Sequence, residues 1–275
     1  MNRINRCFGV LGILAAAVMA GALIASVICD TGGFSPLNAF YNELGLFSGG
    51  YFVPSFAMLI NLCFVLLGLV FGALMMFDAF RKDTVWSTVL GFFGALTGVL
   101  AMAHGIFTLN VAPYHYIAAS AFYISAAVLC ALYVAGQLRE HSRKPVATVI
   151  AAVLTCVTGG VNAWYILSGG MSAYLVNSAS LTGRSGIEPF ALVGWVALAL
   201  FLVFTVLYSV GLLGTRRKKA DSPEMPELKE TDDEDKSLDE AIENLTDENL
   251  EETLGAGMQK SFDESTEDDD QPYGL

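Results

Sequence analysis

Charge is scarce over most of this sequence. Residues 1–214 hold only eight Lys/Arg and six Asp/Glu, although the whole chain of 275 residues holds 15 and 27. That excludes an ordinary soluble domain, in which roughly a quarter of the residues are charged. Histidine is scarcer still, with three in all. The sequence has no HExxH, no pair of histidines one helical turn apart and no readable Ser-His-Asp order, so no established metal or nucleophile signature is present and no cofactor is implied. No basic stripe exists beyond short clusters, which argues against a nucleic-acid partner. The five cysteines, Cys7, Cys29, Cys63, Cys130 and Cys156, never fall at CxxC spacing. Only Cys29 is expected outside the apolar runs on the outer side, so a disulfide framework is not expected and the cysteines read as small packing residues.

Six long apolar runs take the place of charge. They cover about 8–28, 52–80, 85–107, 116–136, 146–168 and 189–213. Each is near the roughly 20 residues that span the hydrocarbon core of a bilayer as a helix. The first is too long for the core of a signal peptide, which runs roughly 7–15 residues. These features predict an all-α, six-helix transmembrane bundle over 1–214.

Basic residues set the expected orientation. Arg3 and Arg6, Arg81 and Lys82, Arg139, Arg143 and Lys144, and Arg216 to Lys219 all fall on one side if six helices cross, leaving only Arg184 on the other. Positive-inside bias then puts both termini in the cytoplasm of a multi-pass cell-membrane protein. Trp86 and Trp164 fall near helix ends, where an interfacial belt is expected. Gly68 and Gly72, and Gly94 and Gly98, have the spacing that lets helices approach closely, as packing within one bundle or as a dimer face.

Residues 215–275 differ in kind. Seven Lys/Arg and 21 Asp/Glu give this segment a net charge of −14, against +2 for residues 1–214. So much charge with few aromatics predicts a mostly disordered acidic cytoplasmic tail. Ser237 and Glu240 have capping-box spacing ahead of a thin apolar stripe ending near Gly255, a segment suited to docking on a cytoplasmic protein partner.

The outer side is expected to carry three segments: a loop between the first two runs, the turn 108–115, and a flexible Ser/Gly-rich loop over 169–188. Polar side chains at membrane depth are costly unless paired, so they mark candidate sites. Asn61, His104, His115 and Asn162 all fall in the outer half on this topology, with Asp30 and Glu43 on the same side. Asp78 lies at the inner surface, where Arg81 or Lys82 can neutralise it. The His and carboxylate types suit a metal or a water-activating pair, but their spacing is not diagnostic. Two other readings are open ahead of it: plain hydrogen bonding at helix ends, and an outward pocket for a lipid head group or small amphiphile.

The segment SPLNAFYNELG, from Ser35 to Gly45, followed by a helix carrying Asn61 and Gly68, resembles the signature of the DUF998 family of prokaryotic polytopic membrane proteins. The similarity continues at Gly105-Ile106-Phe107 and at His115, and spans roughly 8–214. Asn42 stands where the family usually has Ser. The resemblance implies a six-helix membrane fold in which Glu43, Asn61 and His115 occupy recurring polar positions; the family has no established activity. More distantly, the chain is similar to the Frag/DRAM/Sfk group, linked to lipid organisation. The expectation is a non-catalytic membrane protein with a lipid pocket in the outer leaflet, lined by Glu43, Asn61 and His115. The alternatives are an intramembrane hydrolase using His104, His115, Glu43 and Asp30, and a transporter, against which stands the lack of ion-pair relays or broken-helix pairs.

Overall fold

The structure is a computed structural model that describes residues 3–29, 34–46, 54–82, 84–140, 146–177, 184 and 186–214. Asp30, His141 and the acidic tail with its expected helix lie outside the described residues. The chain divides into two units, 1–217 and 218–275. Within the first, seven α-helices occur among the described residues: α1 (Arg3–Cys29), α2 (Pro54–Lys82), α3 (Val85–Ile106), α4 (Ala112–Glu140), α5 (Val146–Leu167), α6 (Gly170–Asn177) and α7 (Pro189–Gly214). No strand occurs among the described residues. All but α6 are long and apolar enough to cross a membrane. The shortest of these six has 22 residues, about 33 Å at 1.5 Å per residue.

Helix ends follow local chemistry. Pro54 and Pro189 open α2 and α7, where a missing N–H costs nothing and a fixed φ helps. Thr84 caps α3: its hydroxyl accepts from the Ser87 N–H at 3.1 Å, and the Ser87 hydroxyl accepts from the Thr84 N–H at 3.0 Å. The start of α4 lies four residues before the expected 116, because Pro113 falls in its first turn and is tolerated there. Hydroxyls inside the helices bond back one turn, as Thr97 does to the Phe93 carbonyl and Thr155 to that of Ala151. That leaves them satisfied without water.

The long helices form a closed ring. Each of α1 to α5 packs against the next in sequence, α7 packs against α5, and α7 closes the ring on α1. Aromatic side chains fill the centre: Phe122 meets Phe201 at 5.2 Å between ring centroids, and Phe71 meets Phe201 at 5.0 Å. The expected close helix approach is between α2 and α3. A methyl added at Gly68 would run into the Gly98 carbonyl, and one added at Gly98 into that of Gly68. The two glycine stripes therefore pack against each other within the chain.

The segment expected as a flexible loop over 169–188 is partly helical. Gly169 takes a φ of 79°, a left-handed turn suited to glycine, and α6 starts at the next residue. Met171 and Tyr174 of α6 pack against the bundle core. Gly169 and Gly170, which read as loop, turn the chain into this helix.

Candidate functional site

Residues 34–46, between α1 and α2, fold into one end of the ring as a cap. Its last turn, the 3-10 helix Tyr41–Gly45, is buried at every position. A plug this deep in a bundle must satisfy its backbone internally, and partners from α2, α6, α7 and the chain before α7 do so. Asn61 of α2 donates to the Gly45 carbonyl at 3.1 Å. Trp195 of α7 donates its indole N–H to the Ala39 carbonyl at 2.9 Å. Tyr174 of α6 donates to the Asn38 carbonyl at 2.5 Å. Asn38 donates to the Arg184 carbonyl at 3.1 Å, and the Glu188 N–H donates to the Leu37 carbonyl at 2.8 Å.

Glu43 is the only acidic residue described in the cap, and it does two things. Its carboxylate accepts the Phe40 N–H at 2.8 Å, closing the turn from within. It also accepts from Arg184 at 2.9 and 2.8 Å, one contact to each oxygen. The side chains of Arg184 and Glu43 keep only 7% and 3% of their exposure, so this is a buried ion pair. Burial holds the Glu43 carboxyl above the ordinary carboxylate value, and the guanidinium and the Phe40 N–H only partly offset that. The Arg184 guanidinium also lies 5.1 Å from the Tyr174 ring centroid.

Below the cap runs a line of polar rings. The Tyr41 hydroxyl lies 2.6 Å from that of Tyr123 and 3.3 Å from His104 Nε2. Burial, and after it the Tyr123 hydroxyl, raise the Tyr41 phenol well above its ordinary value. The His104 and His115 rings approach to 4.7 Å between centroids. His115 donates from Nδ1 to the Phe107 carbonyl at 2.6 Å, which leaves its Nε2 as an acceptor. Both His115 Nε2 and His104 Nδ1 are buried with no hydrogen-bond partner. The histidines are 2% and 3% exposed, so water reaches neither from outside.

The sequence-predicted residues therefore separate into two groups. His104 and His115 come together, with Tyr41 and Tyr123 as partners that sequence reading missed. Glu43 and Asn61 hold the cap, with Arg184 as the missed partner. Asn162 is buried in α5 against Gly194 of α7. Asp30 lies outside the described residues. Among the described residues, no third His, Cys, Asp or Glu joins the two histidines in a set that could hold a metal ion.

Two adjoining clefts of about 220 and 200 Å³ run between α1 and α7, beside the cap. Leu23, Ile24 and Trp195 line both; Pro36 of the cap lines the first and Ala20 the second. Every lining residue is apolar apart from the Trp195 N–H, which is turned to the Ala39 carbonyl. None of Glu43, Asn61, His104 and His115 lines either cleft.

No protein-family model, no curated protein and no solved structure matches this chain.

Proposed function

We propose that this chain is a non-catalytic, multi-pass protein of the cell membrane, related to the DUF998 family, that binds lipid from the outer leaflet in the cleft between α1 and α7. Both termini and the acidic tail face the cytoplasm, and the cap faces outward. The distribution of cations supports this orientation: Arg6, Arg81, Lys82 and Arg139 lie at the end opposite the cap, and Arg184 alone among the described cations lies at the cap.

The observation that carries the lipid reading is the wholly apolar cleft, open along two helices that can cross the membrane. Beside such a cleft the bilayer offers hydrocarbon chains and no water, so an acyl chain is the occupant whose chemistry fits it. The buried polar cluster supports the same reading by its own engagement. Glu43 and Asn61 are engaged in holding the cap, and His115 is bonded to the Phe107 carbonyl, so each already has a protein partner.

Trp195 makes the test direct, because the chain has only three tryptophans. In a Trp86→Phe, Trp164→Phe background reconstituted in nanodiscs, phospholipid brominated along its acyl chains should quench Trp195 strongly. Ala20→Phe, which fills the cleft, should weaken that quenching several-fold. Equal quenching with and without Ala20→Phe would reject the site. Labelling of Leu37→Cys by an impermeant reagent on intact cells tests the orientation; protection of that cysteine would reverse it.

A further inference from the structure

We propose that an acyl chain in the α1/α7 cleft holds the cap shut through Trp195, so that lipid occupancy controls access of water to the Tyr41–His104–His115 line. This rests on the lipid-binding reading above and adds a consequence to it.

One indole joins the two regions. The Trp195 ring forms a wall of both clefts. Its N–H is bonded to the cap at the Ala39 carbonyl. Its edges meet two cap aromatics, Tyr41 at 5.9 Å and Phe34 at 6.1 Å between centroids. Pro36 adds a second connection, since it lines the cleft one residue before Leu37, whose carbonyl accepts the Glu188 N–H. A chain lying in the cleft thus presses on the ring and the proline that position the cap. An empty cleft leaves the Trp195 ring without packing on that side, which costs it dispersion contacts.

What the cap covers gives the coupling its consequence. Tyr41 is the cap's contact with His104, and beyond His104 stands the unpartnered nitrogen of His115. Buried polar atoms without partners favour water once water can reach them. Lifting the cap exposes that line, and seating it seals the line off. A ligand that fits only the seated state must shift the equilibrium toward it, and by linkage the seated cap must bind the chain more tightly.

Hydrogen exchange of the full-length protein, compared in delipidated detergent and after adding phospholipid, reads the cap directly. The Glu188 N–H bonds across to the Leu37 carbonyl of the cap, so it exchanges when the cap lifts; the Ala39, Phe40, Glu43 and Leu46 amides bond within the buried cap and exchange when the lifted turn then frays in water. Native mass spectrometry of the same samples reads lipid binding separately. Slower cap exchange by roughly 5- to 150-fold with lipid bound, the range of typical allosteric coupling, supports the proposal. Trp195→Phe keeps a ring in the wall but removes the N–H; it should retain lipid and lose most of the lipid-dependent protection. Should Trp195→Phe not fold, Ala20→Phe serves: its cap exchange should no longer respond to added lipid. Bound lipid with unchanged cap exchange would overturn the coupling and leave the binding reading intact. No bound lipid in the wild-type protein would overturn both.

Discussion

The ring of helices buries a carboxylate at each end, and the two are held in different ways. At the end opposite the cap, Asp78 accepts from Arg81 at 2.9 Å and from Lys82, both within one turn of its own helix, and from the Tyr208 hydroxyl. Arg81 and Lys82 keep 29% and 34% side-chain exposure, so their charges reach toward water along flexible stems. At the cap, Glu43 accepts from Arg184, 141 positions away, with both partners almost fully enclosed. The first arrangement neutralises a charge where a helix leaves the bilayer. The second ties two distant segments together, and in doing so fixes the lid of the bundle.

The sharpest way to break this comparison is to remove one partner at each end. Arg184→Gln leaves the Glu43 carboxyl enclosed without its cation, to be held charged and unpaired or to take up a proton, and should cost about 3–5 kcal/mol, as breaking buried pairs does. Glu43→Gln in the same protein should restore most of that loss, because two neutral amides can share the remaining hydrogen bonds. Thermal or denaturant unfolding in detergent measures both. A double variant no more stable than Arg184→Gln alone would mean that Arg184 acts through some contact other than Glu43.

Asp78→Asn should cost less, about 1.5 kcal/mol, at the low end for a hydrogen bond to a charged group. The amide oxygen still accepts from Tyr208, and the freed cations turn to solvent. A loss as large as that of Arg184→Gln would show that the two ends are more alike than their exposure implies. Asn61→Leu tests the cap without touching charge. It strands the buried Gly45 carbonyl and should cost about 1 kcal/mol or slightly more, with faster exchange of the Leu46 amide as its local signature.

The same contrast explains what could be read from the sequence. Asp78 and its two cations stand three and four residues apart, a spacing that helix geometry converts directly into contact. Six apolar runs and their basic flanks were legible for the same reason: length and composition decide them locally. The helix bounds shift by only a few residues, as at α4, where Pro113 sits in the first turn. The cap was not legible as a fold, because its partners come from α2, α6, α7 and the chain before α7, and no spacing relates them. A trace of it was present all the same. Arg184 is the one basic residue on a side that also carries Asp30, Glu43 and Glu188, and a lone cation there needs one of those anions. The meeting of Tyr41 with His104 left no such trace: His104 stood out as a polar group at membrane depth, but nothing in its spacing pointed to a tyrosine 63 positions earlier. Helix α6 was hidden by composition, as the glycines that turn the chain into it read as loop.

The smallest expected effect is at Arg81, and it sharpens the comparison most. Arg81→Gln removes a cation from a buried carboxylate just as Arg184→Gln does, and the starting distances, 2.9 Å and 2.8–2.9 Å, are alike. Distance alone therefore predicts equal losses. The surroundings predict unequal ones: Lys82 still neutralises Asp78, Tyr208 still donates, and Arg81 itself is partly solvated. Its loss should fall within about 0–1 kcal/mol, the range of exposed pairs. Raising the salt concentration should weaken the Arg81 contribution and leave that of Arg184 nearly unchanged, since enclosed pairs are screened far less. Unfolding of the two single variants at low and high salt checks this, and equal salt sensitivity would remove the distinction between a solvated anchor and an enclosed latch.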